Sequence, residues 1–305
     1  GLTGPITAEQ WPAAKARGLA MDAVIGQSGL EAAYDDLLRG QDGRVLINTG
    51  FDGAVRRTAQ LRQAVPGAAL VLTVDSSLQK ALQDALISQI HTLQTTKAAG
   101  AGRECRAGAA VVVDVKTGGI LAAASVPGFD LNACRADYTA LAADAAAPLL
   151  DRTAQGLYAP GSAFKPAVAA AALTAGIDPA ATVNCTGRYG FYNGYQPGCL
   201  QYGHSGPVDL RTALEHSCNI FFYDVGRRLG VDTFSAMAQQ LGLAAPTGVE
   251  VAEARGRLTW SSDGNYQAGL TLMAAIGQGN TAVTPLQLAV YAATLANYGQ
   301  RPALH

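Results

Sequence analysis

The chain has 305 residues, with 22 Lys and Arg against 23 Asp and Glu, so its formal charge of −1 leaves no basic footprint for a nucleic acid. Hydrophobic residues make up 49% and charged ones 15%, a balance that excludes intrinsic disorder. The longest purely apolar run, Ala167 to Leu173, is too short to span a bilayer, and Gly1-Leu2-Thr3-Gly4-Pro5 is not a signal peptide, so the chain reads as a cut-out.

Residues 1–70 carry short apolar runs punctuated by Gly, Asp and Arg. From Gly29 the spacing predicts a helix with Leu30, Tyr34, Leu37 and Leu38 on one face, ended by Gly40 and Gly43. Arg44 to Ile47 reads as a strand. Pro66-Gly67 marks a turn and a domain boundary, dividing residues 1–68 from 69–305. Ala69 to Val74 reads as a strand, followed by a helix capped by Asp75 or Ser76 with Leu78, Leu82, Leu86, Ile90 and Leu93 along one face. A polar loop is expected over 94–108. Ala109 to Asp114 and Ile120 to Ala124 form a hairpin around the turn Lys116-Thr117-Gly118-Gly119.

Further along, the Ala-rich stretch from Asn132 to Leu150 predicts a helix, and so does the run from Ser162 to about Leu173, stopped by Gly176. Val208 to Leu214 leads into a helix that carries Phe221 and Phe222. At Thr284-Pro285-Leu286-Gln287, three signals agree on a helix start: a Thr N-cap, Pro at the first position and Gln completing a capping box.

The five cysteines, Cys105, Cys134, Cys185, Cys199 and Cys218, contain no C-x-x-C pair, which argues against a structural zinc site. Cys185 and Cys199 bracket the Gly- and Tyr-rich segment Gly187 to Gly198, which is either a loop closed by a disulfide or one flanked by two thiols. His91, His204, His216 and His305 show no metal spacing and no G-x-S-x-G partner, which argues against a Ser-His-Asp hydrolase. Trp11 and Trp260 read as packing residues. His216 reads as structural or solvated.

Chemistry concentrates at Tyr158-Ala159-Pro160-Gly161-Ser162-Ala163-Phe164-Lys165. A Ser and a Lys three apart at a helix start share a face, which brings the amine within reach of the hydroxyl. Lysine becomes a competent base when burial lowers its pKa, and free N–H groups at the helix start favour an oxyanion. By itself Ser-x-x-Lys is common. Ser217-Cys218-Asn219 supplies a hydroxyl for proton relay and an amide able to hold both lysine and substrate, although such residues also serve as ordinary helix caps.

Taken together, the two elements resemble the active-site serine penicillin-recognising enzymes, and the likeness extends along the chain. Gly29-Leu30-Glu31, Tyr34-Asp35 and Leu38-Arg39-Gly40 are similar to the pedestal module of class B penicillin-binding proteins. Leu72-Thr73-Val74-Asp75 with Leu78-Gln79 looks like the entry to their transpeptidase domain. Asp151-Arg152-Thr153 resembles their nucleophile region. Gly277-Gln278-Gly279 with Val283 to Ala289 resembles the elongation-type, penicillin-binding protein 2-like members.

The resemblance implies an α+β protein with the penicillin-binding transpeptidase fold, a helix-flanked antiparallel sheet in 69–305, and part of an N-terminal pedestal in 1–68. It implies a peptidoglycan D,D-transpeptidase, inhibited covalently by β-lactams and needing no cofactor or metal. Ser162 is then the nucleophile and Lys165 the base. Ser217 and Asn219 relay the proton and position peptide, and Gly277 and Gln278 join Ser162, Ser217 and Asn219 in binding substrate. Implied partners are stem peptides, a membrane-embedded glycosyltransferase and the elongation machinery that sets cell shape. The implied location is the outer face of the cell membrane, through an anchor not in this chain.

One element departs from the family pattern. The family's Lys-Thr-Gly follows the Gly-Gln-Gly segment, whereas the one here, Lys116-Thr117-Gly118, precedes Ser162 and reads as the hairpin turn. The family strand is therefore expected beyond His305, or the chain is an inactive truncated product. The rivals are a β-lactam hydrolase or sensor using the same serine, and a catalytically inactive scaffold.

Overall fold

The computed structural model describes residues 1–96, 102–200 and 203–305, which divide into two compact units. The first holds residues 1–72 with 130–135 and 250–252. In it, β1 (Leu2–Pro5) pairs antiparallel with β2 (Val24–Ser28), with α1 (Trp11–Ala16) between them in sequence. The helix expected from Gly29 is two short ones, α2 (Gly29–Ala33) and α3 (Asp35–Leu38). The break falls at Tyr34, because the Asp35 carboxylate turns back to accept the Gly26 N–H at 2.9 Å and to pair with Arg17 at 2.8 Å.

Next come β3 (Arg44–Thr49) and β4 (Val55–Arg62), joined in a hairpin. Asp52 organises its turn by accepting from Ala54 N–H at 3.1 Å and pairing with Arg56 at 2.6 Å. The charged, Arg-rich β4 gave no alternating apolar signal, so only its partner strand was expected.

The second unit holds residues 73–129, 136–249 and 253–305. Its elements are α4 (Ser76–Thr95), β5 (Gly108–Val113), β6 (Ile120–Val126), α5 (Cys134–Ala143, whose first two residues fall in the first unit) and a 3-10 turn (Gly161–Phe164). They continue with α6 (Lys165–Thr174), β7 (Val183–Cys185), β8 (Gly206–Val208), α7 (Leu210–Glu215), α8 (Asn219–Leu229), α9 (Val231–Gln240), α10 (Ala268–Ala275) and α11 (Pro285–Ala296). Asp75 caps α4 by accepting from Leu78 N–H at 2.9 Å. The β5–β6 hairpin pairs Ala110 with Ala124 and Val112 with Ala122, and α4 packs against β6 while α11 packs against β5. That arrangement is the helix-flanked antiparallel sheet expected for residues 69–305. Lys116-Thr117-Gly118 is indeed its turn, with the Asp114 carboxylate accepting from Lys116 and Thr117 N–H at 2.8 Å.

Three expectations need correction. Residues 69–74 form no strand: Val71 is 91% exposed and the segment joins no ladder, holding to β6 only through Thr73 Oγ1 on Ile120 O and Asp75 N–H on Leu121 O. The helix predicted over 132–150 stops at Ala143, because the Asp144 side chain captures the Ala146 N–H at 2.8 Å, the competition by which Asp ends helices. The helix from Asp75 runs to Thr95, past the start of the expected loop; residues 97–101 of that loop lie outside the described residues.

The core is helical. Phe164, Val168, Phe222, Phe234, Leu243 and Leu272 are fully buried, and α6 meets α8 and α9 through a surface composed mainly of alanine. Small residues allow close helix approach, most tightly where α8 crosses α10. A Cβ on Gly226 would lie 2.5 Å from the Ala275 Cβ. The Thr284 capping box is present in both directions, with Gln287 N–H on Thr284 Oγ1 and Thr284 N–H on Gln287 Oε1 at 3.1 Å.

Gly226→Ala is therefore expected to lower stability by about 1–3 kcal/mol through overpacking, against its gain in helix propensity. Adding Ala275→Gly should recover most of the loss. Urea midpoints of the two variants and the wild type measure both effects.

Candidate active site

Ser162 sits on the 3-10 turn, not on the α-helix itself. Gly161 adopts φ +58° before it, and its N–H is held by the Gly277 carbonyl at 2.9 Å. Gly277 must be glycine: its φ is +72°, and a Cβ there would lie 2.2 Å from the Gly161 carbonyl oxygen. Its N–H goes to Ala274 O, so Gly277 is a buttress under the serine turn with both backbone groups committed. Gln278, by contrast, is exposed and lines the site.

In 3-10 geometry residues i and i+3 eclipse, which carries the chain from Ser162 down to Lys165, the first residue of α6. Lys165 is only 2% exposed. Its Nζ meets three oxygens: Ser217 O at 2.7 Å, Ser217 Oγ at 2.8 Å and Asn219 Oδ1 at 2.7 Å. The Phe222 ring lies 5.5 Å away. Burial drives the lysine pKa down to about 8, because a low-dielectric surround disfavours the ammonium.

The amine does not bond Ser162 directly among the described contacts. The path runs through Ser217 Oγ, which is 3.0 Å from Ser162 Oγ. This differs from a simple one-turn Ser-Lys contact, since the lysine is turned towards the second element.

Ser217 itself has φ +53°, a left-handed conformation that costs a non-glycine residue about 1–2 kcal/mol. The strain aims its hydroxyl and its carbonyl at the same amine. Asn219 opens α8 and is held from the far side: its Nδ2 donates to Gly198 O at 3.2 Å and its N–H to Cys199 Sγ at 3.3 Å. Ser162, Ser217, Asn219 and Gln278, with Leu200, His216 and Ile276, line a cavity of about 190 Å³. His216, adjacent to Ser217 in the sequence, thus faces the cavity.

A second cluster lies behind the Ser-x-Asn element. Cys185, Cys199, Cys218 and His204 bring their ligand atoms within 4.8 Å of one another, and no disulfide joins Cys185 to Cys199. Three thiols and an imidazole form the closed donor set of a structural zinc site, whose ligand atoms would stand about 3.3–3.8 Å apart around a tetrahedral ion. Burial pushes the Cys218 thiol up to about 12, so a cation is what would let it serve as a thiolate. The expectation of no metal site rested on adjacent cysteine spacing. Here three residues of one Gly- and Tyr-rich segment and one of the Ser-x-Asn turn converge, a pattern that no local motif records.

Two families of known domains match the chain. Residues 108–305 match the penicillin binding protein transpeptidase domain, and residues 1–72 match the penicillin-binding protein dimerisation domain. The peptidoglycan D,D-transpeptidase MrdA of Haemophilus influenzae is 32% identical over 90% of this chain, and the match covers 42% of that protein. A solved structure described as the structural coordination of polymerization and crosslinking by a peptidoglycan synthase complex superposes with a TM-score of 0.86 and 34% identity, covering all of this chain and 54% of that one. Pseudomonas aeruginosa PBP2 in complex with WCK 5153 gives 0.75 and 29%, over 99% of this chain and 63% of that one. The chain thus spans about half the length of the proteins it matches. With a dimerisation module followed by a transpeptidase module, it belongs to the class B penicillin-binding proteins, of the elongation-type, penicillin-binding protein 2-like kind.

Proposed function

We propose that the protein is a peptidoglycan D,D-transpeptidase working through a Ser162 acyl-enzyme. The observation that carries this reading is the relay from buried Lys165 to Ser217 Oγ to Ser162 Oγ, with steps of 2.8 and 3.0 Å. With Lys165 neutral, two of its N–H groups go to Ser217 O and Asn219 Oδ1, and its lone pair faces the Ser217 hydroxyl. As Ser162 Oγ bonds the D-Ala-D-Ala carbonyl carbon, its proton moves to Ser217 and the Ser217 proton moves to Lys165. Reversing the relay protonates the departing D-Ala amine. An amine from a neighbouring strand then takes the acyl group and restores the serine.

In this reading Ser162, Lys165, Ser217 and Asn219 are catalytic, Asn219 and Gln278 contact the stem peptide, and Gly277 positions the serine turn. Residues 1–68 are a partial pedestal and 69–305 the transpeptidase domain; the contact division after Leu72 supports a boundary there. The protein works on the outer face of the cell membrane, beside a membrane-embedded glycosyltransferase and elongation proteins. The words "polymerization and crosslinking by a peptidoglycan synthase complex" for the similar structure support that partnership. No helix among the described residues is long and apolar enough to cross a membrane.

Cys185, Cys199, His204 and Cys218 hold a structural zinc ion in this reading. When bound it supplies no reaction chemistry; it clamps the segment 185–204 to the Ser-x-Asn turn. Those residues then keep Gly198 O and Cys199 Sγ in place against Asn219.

Four outcomes are expected. A fluorescent penicillin labels the wild type and not Ser162→Ala; equal labelling of both would sink the acyl-enzyme assignment. The labelling rate climbs between pH 6 and 9 with a midpoint near 8, because the neutral amine is the active form and lies above the lysine pKa. Lys165→Met labels at least about a hundredfold more slowly and loses that rise. Elemental analysis finds one zinc per chain, and Cys218→Ala and a strong chelator each remove it and lower the melting temperature.

A further inference from the structure

A second cavity, of about 400 Å³, lies beside the elements that build the serine site and has no role in the relay. It is lined by Tyr192, Tyr195, Gln267, Gly269, Leu270 and Met273. We propose that it is a glycan subsite, holding uncharged N-acetylated sugar rings of the strand whose stem peptide reaches Ser162; this rests on the function proposed above.

The chemistry of the lining selects the ligand. No lining side chain is charged, so a phosphate, carboxylate or ammonium ligand would find no counter-charge there. A lipid would favour a wholly apolar wall, yet this rim carries two phenols and an amide. Neither tyrosine hydroxyl nor the Gln267 side chain is engaged in a hydrogen bond among the described residues, so their donors and acceptors are uncommitted. Leu270, Met273 and the bare Gly269 backbone give an apolar floor. Flat apolar faces with hydroxyls at their edges are what a pyranose presents, and a tyrosine ring with a polar tip complements that pattern. The acetamide methyl fits against Met273 and Leu270.

The tyrosines are held in place, although the segment that bears them is glycine-rich. Tyr189 N–H bonds Pro197 O at 3.0 Å, and Cys199 N–H bonds Gly187 O at 2.9 Å, closing the loop on itself. Arg227 lies 3.8 Å over the Phe191 ring, and Phe191 meets Tyr192 edge-on with centroids 5.1 Å apart. Tyr195 lies against Gly269, where a Cβ would come within 3.4 Å of the ring. Tyr195 is nevertheless 40% exposed, with a face open to a ligand.

Continuity with the serine site gives the cavity its place. α10 supplies Leu270 and Met273 here, and the chain directly after it supplies Ile276 and Gln278 there. The tyrosine loop ends at Gly198, whose carbonyl holds Asn219. A strand resting on the tyrosines lies along the same two elements that frame the acyl-enzyme.

The test uses the 305-residue chain and the tetramer of β-1,4-linked N-acetylglucosamine, an uncharged glycan without peptide. Saturation-transfer NMR should show transfer from protein to the sugar ring and acetamide protons. Tyr195→Ala and Tyr192→Ala should each weaken binding about tenfold, with Tyr195→Phe, which keeps the ring and loses the hydroxyl, falling between Tyr195→Ala and wild type. Labelling of Ser162 by fluorescent penicillin should stay within about twofold in all three variants, reporting an intact fold and relay. No transfer to the tetramer in wild type, or equal transfer in Tyr195→Ala, overturns the subsite. Failure of penicillin labelling in the wild type would instead remove the function on which the subsite rests.

Discussion

A lysine amine almost fully withdrawn from water is expensive unless every polar contact it makes is supplied by the protein, and Lys165 meets that condition with three oxygens. Two of them belong to Ser217 and one to Asn219, so the cost of burying the lysine is offset only when the Ser-x-Asn element is in place. Ser217 in turn accepts a strained backbone to deliver both its oxygens to one atom. The same arrangement that satisfies the buried amine brings the Ser217 hydroxyl to Ser162. Stability of the core and readiness for chemistry therefore rest on one cluster.

Much of the second unit can be understood as support for that cluster. α6 is buried on nearly every side and starts at Lys165, so the amine is fixed by packing of the helix rather than by a surface loop. Gly277 holds the serine turn through Gly161, and α10, which leads to Gly277, is set by its tight crossing at Gly226. Asn219 is fixed by Gly198 and Cys199 from the segment that carries three of the four clustered ligand residues. Catalytic geometry and the thiol-imidazole cluster share residues 198–219, so disturbance of one is transmitted to the other.

Where local chemistry decides structure, the sequence was readable. The capping box at Thr284, the Asp75 cap, the β5–β6 hairpin and the Lys-Thr-Gly turn depend on neighbours a few residues apart. Ser162, Lys165, Ser217 and Asn219 were legible because short motifs carried them. Residues 69–74 misled because an apolar β-branched run signals a strand but cannot supply its partner. Residues 144–150 misled because a single Asp overrode alanine propensity. β4 was missed because its exposed faces carry arginines and no alternation.

What the sequence determined by itself is therefore local: caps, turns, the Ser-x-x-Lys and Ser-x-Asn elements, and the family resemblance they carry. Tertiary structure alone decided that Lys165 reaches Ser162 through Ser217, that Gly277 is a buttress, and that Cys185, Cys199, His204 and Cys218 meet. Each of these depends on residues tens of positions apart, brought together by helix packing. Spacing along a chain encodes the geometry of one helix or turn. It does not encode the distance between two of them, and that distance sets both the relay and the cluster.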